Sequence, residues 1–426
     1  MARRTARDNR DLPHPESVER IELNEEHIGR RVALVVILLI FGLGMLGYTA
    51  YQLFNPQTEW VNIEAYSSKG ASCAQEFGLL YRPGSDGMSP NTERREVTEL
   101  YSELCRTAFE QFHNMEAFDG VNNIYAINRR PNETLTVDKS LYRAFEAVER
   151  SGSRFLYLGP VYDRYSSIFF CDDDSQLLDF DPRLSPEVAR EYQAIAGYAN
   201  DPRSIQLELL GENRICLRIS EAYLAYAQQE GIENFIDFSW TRNAFIADYL
   251  AEELTAQGYT NGALTSYDGF VRCLDGSARD YSLQLYDRQG QTIYSAAVMD
   301  YQGPMSVVTL RDYPINDLDL LRFYELRSGE IRTSYLDPAD GLCKNAVHNL
   351  TFYSQSKGCG ELLLEMMPLY IAESFREDLL PALAEKGIHS IRFQNGVICP
   401  TDPRLRLRTL YADETLRYTV APAQSK

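Results

Sequence analysis

The chain has 426 residues, of which 44% are hydrophobic and 24% are charged. This composition is that of a folded protein rather than a disordered one, and the length allows one large or two modest domains. The formal net charge of −19 argues against a nucleic-acid partner. A phosphate backbone has to be met by a basic surface, and none is visible in the sequence.

An uncharged stretch near the N-terminus, residues 32–54, is the strongest local signal. It reads VALVVILLIFGLGMLGYTAYQLF, which is long enough to cross the ~30 Å hydrocarbon core of a bilayer. Arg30 and Arg31 precede it, and positive charge stays on the cytoplasmic side, so the C-terminal bulk is expected outside the cytoplasm. We predict a cytoplasmic tail over 1–31 and a transmembrane helix over 32–54, giving a single-pass protein of the cell membrane. A cleavable signal peptide is the alternative, although no A-x-A site follows the stretch.

All eight cysteines follow the uncharged stretch. An even number in an exported domain permits disulfides, and isolated buried cysteines are an equally good interpretation. No C-x-x-C pair occurs, so the sequence does not support a zinc site or a thioredoxin-type motif.

Helix and strand signals alternate irregularly through the rest of the chain. Ser89-Pro90 is typical of a helix start. Apolar periodicity predicts helices over about 90–113, 141–149, 185–198, 241–257, 361–372 and 374–386. Strand-like runs occur at 77–81, 205–210, 214–219, 270–274, 281–286, 306–310 and 390–393. Without a strict βαβ alternation, this pattern indicates the α+β class. We predict a linker with a first strand region over 55–88 and one domain over 89–426.

No single motif assigns a reaction. The sequence contains no glycine-rich phosphate loop, no H-E-x-x-H and no nucleophile elbow, and its five histidines are scattered. A Ser/His/Asp hydrolase therefore has no support from residue spacing.

Taken in order, segments between about residues 118 and 400 resemble the ApbE family, the FAD:protein FMN transferases. The resemblance begins weakly with AFDGVNNIYAINR at 117–129 and GSRFLYLGP at 152–160. RTSYLDPADG at 332–341 is similar to the family's Y-S-H-I-I-D-P-R-T-G and is the best single match. The other matching segments are IDFSWTRNAFIAD at 236–248, GALTSYDGFVR at 262–272, VVTLRDY at 307–313 and LTFYSQSKGCGELLLEM at 350–366.

The resemblance implies a single ApbE-type extracytoplasmic domain that splits FAD with Mg²⁺ and attaches FMN to a serine or threonine of a partner protein. No flavin-acceptor motif occurs in the chain, so the acceptor would be another flavoprotein. By position, the resemblance implies a metal pair, Glu361 and Glu365, which share a helix face because they are four residues apart. Alternatively, they form an acidic first turn favoured by the helix dipole. The implied cofactor-binding residues are Asn243, Tyr267, Asp268, Thr309, Arg311, Ser334 and Asp337.

The same positions depart from the family pattern. Asn243 stands at a lysine position, Tyr267-Asp268 at a glycine pair, Leu310-Arg311 at serine-glycine and Ser334 at a histidine. Each change removes a cation, a donor or free space near the expected pyrophosphate. Two hypotheses therefore stand: a flavin transferase with reduced activity, and a catalytically inactive homologue that acts as a ligand-binding or scaffold protein. The sequence is compatible with an enzyme and with a protein that has lost the activity.

Two further aspartates, Asp237 and Asp248, occupy matched positions in the 236–248 segment. They either orient the cofactor loop or cap a helix. Asp337 likewise either contributes to the site or braces a turn.

Overall fold

The structure, a computed structural model, describes residues 60–67, 70–84, 88–277, 279–409 and 416–422 together with Met45. The predicted cytoplasmic tail and transmembrane segment lie outside the described residues, apart from Met45. In the part that is described, no helix is both long enough and apolar enough to cross a membrane. The chain divides into two units after Gln57, and every element below belongs to the second, Thr58–Lys426.

Local capping interactions fix the ends of several helices. The Ser185 hydroxyl accepts a hydrogen bond from the backbone N–H of Val188, and Gly152 and Gly231 end their helices in the left-handed conformation. The described helices are α1 (Pro90–Phe112), α2 (Ile124–Asn128), α3 (Lys139–Ser151), α4 (Gly159–Tyr165), α5 (Pro186–Asn200), α6 (Glu221–Glu230), α7 (Arg242–Ala256), α8 (Cys359–Tyr370) and α9 (Leu380–Glu385).

Most of the strands belong to one large sheet. The described strands are β1 (Val61–Ile63), β2 (Phe77–Tyr81), β3 (Thr134–Thr136), β4 (Ile205–Gly211), β5 (Arg214–Ile219), β6 (Gly262–Ser266), β7 (Phe270–Cys273), β8 (Asp280–Gln289), β9 (Thr292–Gln302), β10 (Met305–Arg311), β11 (Phe323–Glu325), β12 (Ile331–Thr333), β13 (Asn349–Ser354), β14 (His389–Gln394), β15 (Val397–Pro400), β16 (Arg406–Thr409) and β17 (Thr419–Val420). Nine of them pair in the order β1-β2-β6-β7-β10-β13-β14-β15-β17. Neighbours in this sheet are antiparallel, except that β15 and β17 are parallel.

Both faces of the large sheet are buried. Val307 and Val308 are adjacent in β10, and because side chains alternate along a strand they enter different cores. Val308 joins the larger core together with residues from the helices, including Leu250 of α7 and Leu363 of α8. Val307 joins a smaller core that the three-stranded sheet β16-β9-β8 covers from the other side.

The mixture of helices and antiparallel strands confirms the predicted α+β class. The helix predicted over 374–386 is shorter than expected: a 3₁₀ turn at Glu377–Leu379 leads into α9. The region predicted as linker and first strand supplies two strands of the large sheet, β1 and β2. All eight cysteines are free thiols, and six of them are buried.

The turn between β6 and β7 constrains the packing against β10. Gly269 has φ of 101°, and a Cβ added there would lie 2.5 Å from the carbonyl oxygen of Thr309. Only glycine combines this backbone conformation with so close an approach. Gly197 in α5 differs, because a Cβ there would meet nothing within 4 Å.

We expect Gly269→Ala to lower the free energy of unfolding by more than ~2 kcal/mol, because it combines a strained φ with a clash against backbone. Its matched control, Gly197→Ala, should raise stability by ~0.5–1 kcal/mol through helix propensity. Urea denaturation of both variants measures the difference. Equal stability of the two variants would contradict the geometry of this turn.

Candidate functional site

Five of the seven predicted cofactor-binding residues converge near one end of β10. Asn243 lies in the first turn of α7, Tyr267 and Asp268 lie in the β6–β7 turn, and Thr309 and Arg311 lie on β10. The chain brings these elements together because β7 pairs with β10 in the large sheet and the N-terminal turn of α7 contacts the β6–β7 turn.

A buried ion pair holds the centre of this cluster. The Oδ2 atom of Asp268 accepts hydrogen bonds from Nη2 of Arg322 at 2.6 Å and from Nδ2 of Asn243 at 3.0 Å. The Asp268 side chain is 0% exposed. Burial lowers the pKa of Arg322, but Asp268, Tyr267 and Tyr335 together outweigh burial and raise that pKa above its usual range. The guanidinium also lies 5.2 Å from the ring centroid of Tyr267.

The ion pair continues as a chain of hydrogen bonds toward the start of α7. Asn243 also donates to Oε2 of Glu76 at 2.9 Å. Arg242 binds both oxygens of the same carboxylate, at 2.5 and 2.6 Å. Burial would lower the pKa of Arg242, and the charge of Glu76 raises it instead. Each charged side chain of the cluster therefore has a partner, and the neutral Asn243 links the two carboxylates. The order is Arg242–Glu76–Asn243–Asp268–Arg322.

A further buried pair neutralises Arg311, a third cation of the site. Nη2 of Arg311 donates to Oδ2 of Asp319 at 2.7 Å, and both side chains are nearly inaccessible. The Asp319 carboxylate also accepts from the backbone N–H groups of Ile315 and Asn316. Burial raises the pKa of Tyr335 to about 12, although the positive charges of Arg311 and Arg322 lower it.

The space left at this cluster is too small for FAD. Tyr267, Gly269, Thr309, Arg311 and Tyr313 are among the residues that line a cavity of about 170 Å³. Pockets that hold ligands of drug size measure ~300–1,000 Å³. The second carboxylate oxygens of Asp268 and Asp319 are buried without a partner among the described residues, and they would repel a pyrophosphate. The residues present therefore do not fit the FAD pyrophosphate in this arrangement.

Thr309 and the two predicted cofactor-binding residues outside the cluster, Ser334 and Asp337, make the following contacts. Thr309 bonds across the sheet to the hydroxyl of Thr351 at 3.0 Å. The hydroxyl of Ser334 is buried and has no partner within the described ranges. Asp337 accepts from the backbone N–H of Ala339 and binds Nζ of Lys344 at 2.7 Å, which is the bracing of a turn.

The predicted metal pair lies on α8 with its carboxylates facing two lysines. Glu361 binds Lys357 at 2.6 Å, and Glu365 binds Lys386 at 2.8 Å. Both carboxylates are partly exposed, at 46% and 33%. Over the described residues, no cluster of three or more His, Cys, Asp or Glu side chains is arranged to hold a metal ion.

The two matched aspartates of the 236–248 segment both accept backbone hydrogen bonds. Asp248 accepts from Cys359 and Gly360 at 2.8 Å, so it caps the N-terminus of α8. Asp237 accepts from Ser239 at 2.7 Å, and burial raises its pKa to about 6.

Among known proteins, solved structures match this chain, whereas family models and curated sequences do not. No protein-family model and no curated protein sequence matches the chain. Solved structures do: the ApbE protein of Thermotoga maritima MSB8 (13% identity, 84% of this chain and 98% of that chain, TM-score 0.48), the flavin transferase ApbE of Vibrio cholerae (15%, 82% and 97%, 0.49) and the flavinyl transferase ApbE of Pseudomonas stutzeri (14%, 78% and 90%, 0.43).

The resemblance predicted from the sequence motifs is thus found in the comparison with solved structures. It runs over most of the chain at low sequence identity. Likeness at this level shows neither a substrate nor a reaction.

We expect the Asp268–Arg322 pair to contribute strongly to the free energy of unfolding. Arg322→Gln leaves the Asp268 charge buried with only Asn243 as partner, and Asp268→Asn leaves the Arg322 charge unmatched. Each change should lower the free energy of unfolding by ~3–5 kcal/mol, and the double variant should recover part of the loss.

The matched control is an exposed pair on the surface. Arg376 binds Asp378 at 2.7 Å, with side chains 58% and 62% exposed. Arg376→Gln should cost less than ~1 kcal/mol, because solvent screens the interaction. Chemical denaturation compares the four variants. A similar loss for Arg322→Gln and Arg376→Gln would show that the buried pair contributes no more stability than an exposed pair.

Proposed function

We propose that this chain is a flavin-transferase-like protein that transfers FMN weakly or not at all and serves as a ligand-binding or scaffold protein. One observation carries the proposal: Asp268, at a position predicted to meet the pyrophosphate, is buried and accepts hydrogen bonds from both Arg322 and Asn243. The order of the sequence motifs supports the flavin-transferase lineage.

The electrostatics of the site explain why transfer would be slow. Splitting FAD requires positive charge aimed at the phosphates, and losing one such group typically costs ~10²–10³ in rate. Here Arg311 and Arg322 are each neutralised by an aspartate, and Arg242 is neutralised by Glu76. A pyrophosphate would first have to displace the two aspartates from buried partners, which would leave those carboxylates unpaired.

A second candidate function is active FMN transfer. It is favoured by the two guanidinium groups of Arg311 and Arg322, which lie in the same cluster. If Asp268 and Asp319 moved away, Arg311 and Arg322 would offer forked donors suited to phosphate oxygens. The protein would then be an active FAD:protein FMN transferase, with Mg²⁺ held by Glu361 and Glu365 and an acceptor flavoprotein as partner.

The two candidates differ in a direct assay. The full chain is mixed with FAD, Mg²⁺ and an acceptor peptide containing the family-type serine or threonine, and AMP release and peptide-bound FMN are measured. We expect a rate at least ~10²-fold below that of an active flavin transferase run in parallel.

Robust FMN attachment that requires Mg²⁺ and is lost in Glu361→Gln/Glu365→Gln would establish the second candidate instead. The matched control is Lys357→Gln, which removes the partner of Glu361 and keeps both carboxylates. Mg²⁺ dependence that survives in the double variant would assign the two glutamates to the surface of α8.

We also propose that the protein is anchored in the cell membrane with its main domain outside the cytoplasm. Support comes from the uncharged stretch over 32–54 and from Arg30 and Arg31 before it. Protease added to intact cells should digest the chain beyond residue 60 and spare the N-terminal tail. Recovery of a processed protein in the medium that lacks residues 1–54 would show a cleaved signal peptide.

A further inference from the structure

A second polar pocket lies beyond the end of β10 and shares no lining residue with the cavity of the candidate site. Its volume is about 260 Å³. We call it the arginine–histidine pocket, and the residues that define it are Arg183, Arg288, Arg332, Asp312, Asn345 and His348.

A buried carboxylate fixes the histidine of this pocket. Oδ2 of Asp312 accepts hydrogen bonds from Nδ1 of His348 at 2.8 Å and from Nδ2 of Asn345 at 2.9 Å. The backbone N–H of Asp312 also donates to the carbonyl of His348 at 2.9 Å. A side-chain and a backbone hydrogen bond therefore join the two residues. Asp312 is 6% exposed, whereas the His348 side chain is 75% exposed. The hydrogen bond at Nδ1 therefore fixes the orientation of the imidazole ring and leaves Nε2 directed away from Asp312.

Two arginines of the pocket keep their charge available. Nη2 of Arg183 donates to the carbonyl of Cys343 at 2.7 Å, and Nε of Arg288 donates to the carbonyl of Gly290 at 2.8 Å. Both acceptors are neutral, and neither guanidinium has a carboxylate within 4.0 Å among the described residues. Arg332 differs, because Asp181 and Glu330 both pair with it. Uncompensated arginines are notable in a chain with a formal charge of −19.

The wall of the pocket also contains an unused acceptor. Oδ1 of Asp312 is buried and has no hydrogen-bond partner in the described part of the chain. A buried carboxylate oxygen needs a donor. A phosphate group that still carries a proton can supply one, and sulfate, which is fully deprotonated near neutral pH, cannot.

We propose that the arginine–histidine pocket binds a phosphate group, either inorganic phosphate or the phosphate of a small monoester. Arg183, Arg288 and the protonated His348 donate to the phosphate oxygens, and Asp312 accepts the remaining phosphate proton. This arrangement selects phosphate over sulfate, because the Asp312 carboxylate repels an oxyanion that has no proton to donate.

Binding should weaken as the pH rises through the titration of His348. The hydrogen bond to Asp312 raises the pKa of His348, burial opposes this, Asp287 adds to it and Arg288 lowers it. The charged form donates from both ring nitrogens, so it can hold Asp312 and phosphate at once. Above the pKa, one nitrogen loses its proton and the anion loses a donor.

The test uses the full chain in detergent, titrated with sodium phosphate at constant ionic strength and followed by thermal shift and calorimetry. We expect saturable stabilisation by phosphate and at least tenfold weaker binding of sulfate. His348→Gln and Arg288→Gln should each weaken phosphate binding about tenfold. Arg218→Gln, in an exposed pair with Glu208 that does not line the pocket, should leave binding unchanged. A phenyl phosphate titration below the second pKa of the ester, ~6, where the phosphate keeps one proton, separates a monoester site from one restricted to the free ion.

Asp312→Asn tests the selection step separately. It removes the negative charge, so sulfate binding should approach phosphate binding, and the pKa of His348 measured by NMR should fall. Absence of saturable phosphate binding, equal affinity for sulfate in the unmodified chain, or unchanged binding in His348→Gln/Arg288→Gln would overturn the proposal. None of these outcomes depends on whether the chain transfers FMN.

Discussion

The ion pair between Asp268 and Arg322 is the constraint around which the candidate site is built. Both charges are removed from water, and removing either partner would leave the other without compensation. The β6–β7 turn cannot move away to relieve this, because Gly269 packs directly against the backbone of Thr309. The positions of Asn243 and Glu76 follow, since each completes the hydrogen bonds of the next member of the chain.

The short segment 317–322 supplies partners to two charged residues of the site. Asp319 pairs with the arginine on β10, and Arg322 pairs with the aspartate in the β6–β7 turn. Two oppositely directed ion pairs therefore fasten the same segment at two points. Opening the cluster for a ligand would require both to break together, which is a larger barrier than rotating a single side chain.

The sequence predicts the secondary-structure elements and the location of the cluster better than the ion-pair partners within it. Ser89-Pro90 and the apolar spacing after it indicated α1, and the order of the family-like motifs placed Asn243, Asp268 and Arg311 near one another. The partners Asp319 and Arg322 were missed, because contacts such as Arg322 with Asp268, 54 residues apart, leave no periodic signal. Similarly, four-residue spacing showed that Glu361 and Glu365 share a helix face. It could not show that Lys386, from another helix region, neutralises one of them.

The large sheet has a consequence for how the second unit unfolds. β10 places Val307 in one core and Val308 in the other, so the helical layer and the β16-β9-β8 layer share a wall. Loss of that strand would expose apolar surface on both sides at once, and neither layer retains its burial without it. The two layers are thus coupled into one cooperative transition, although each has its own set of apolar contacts.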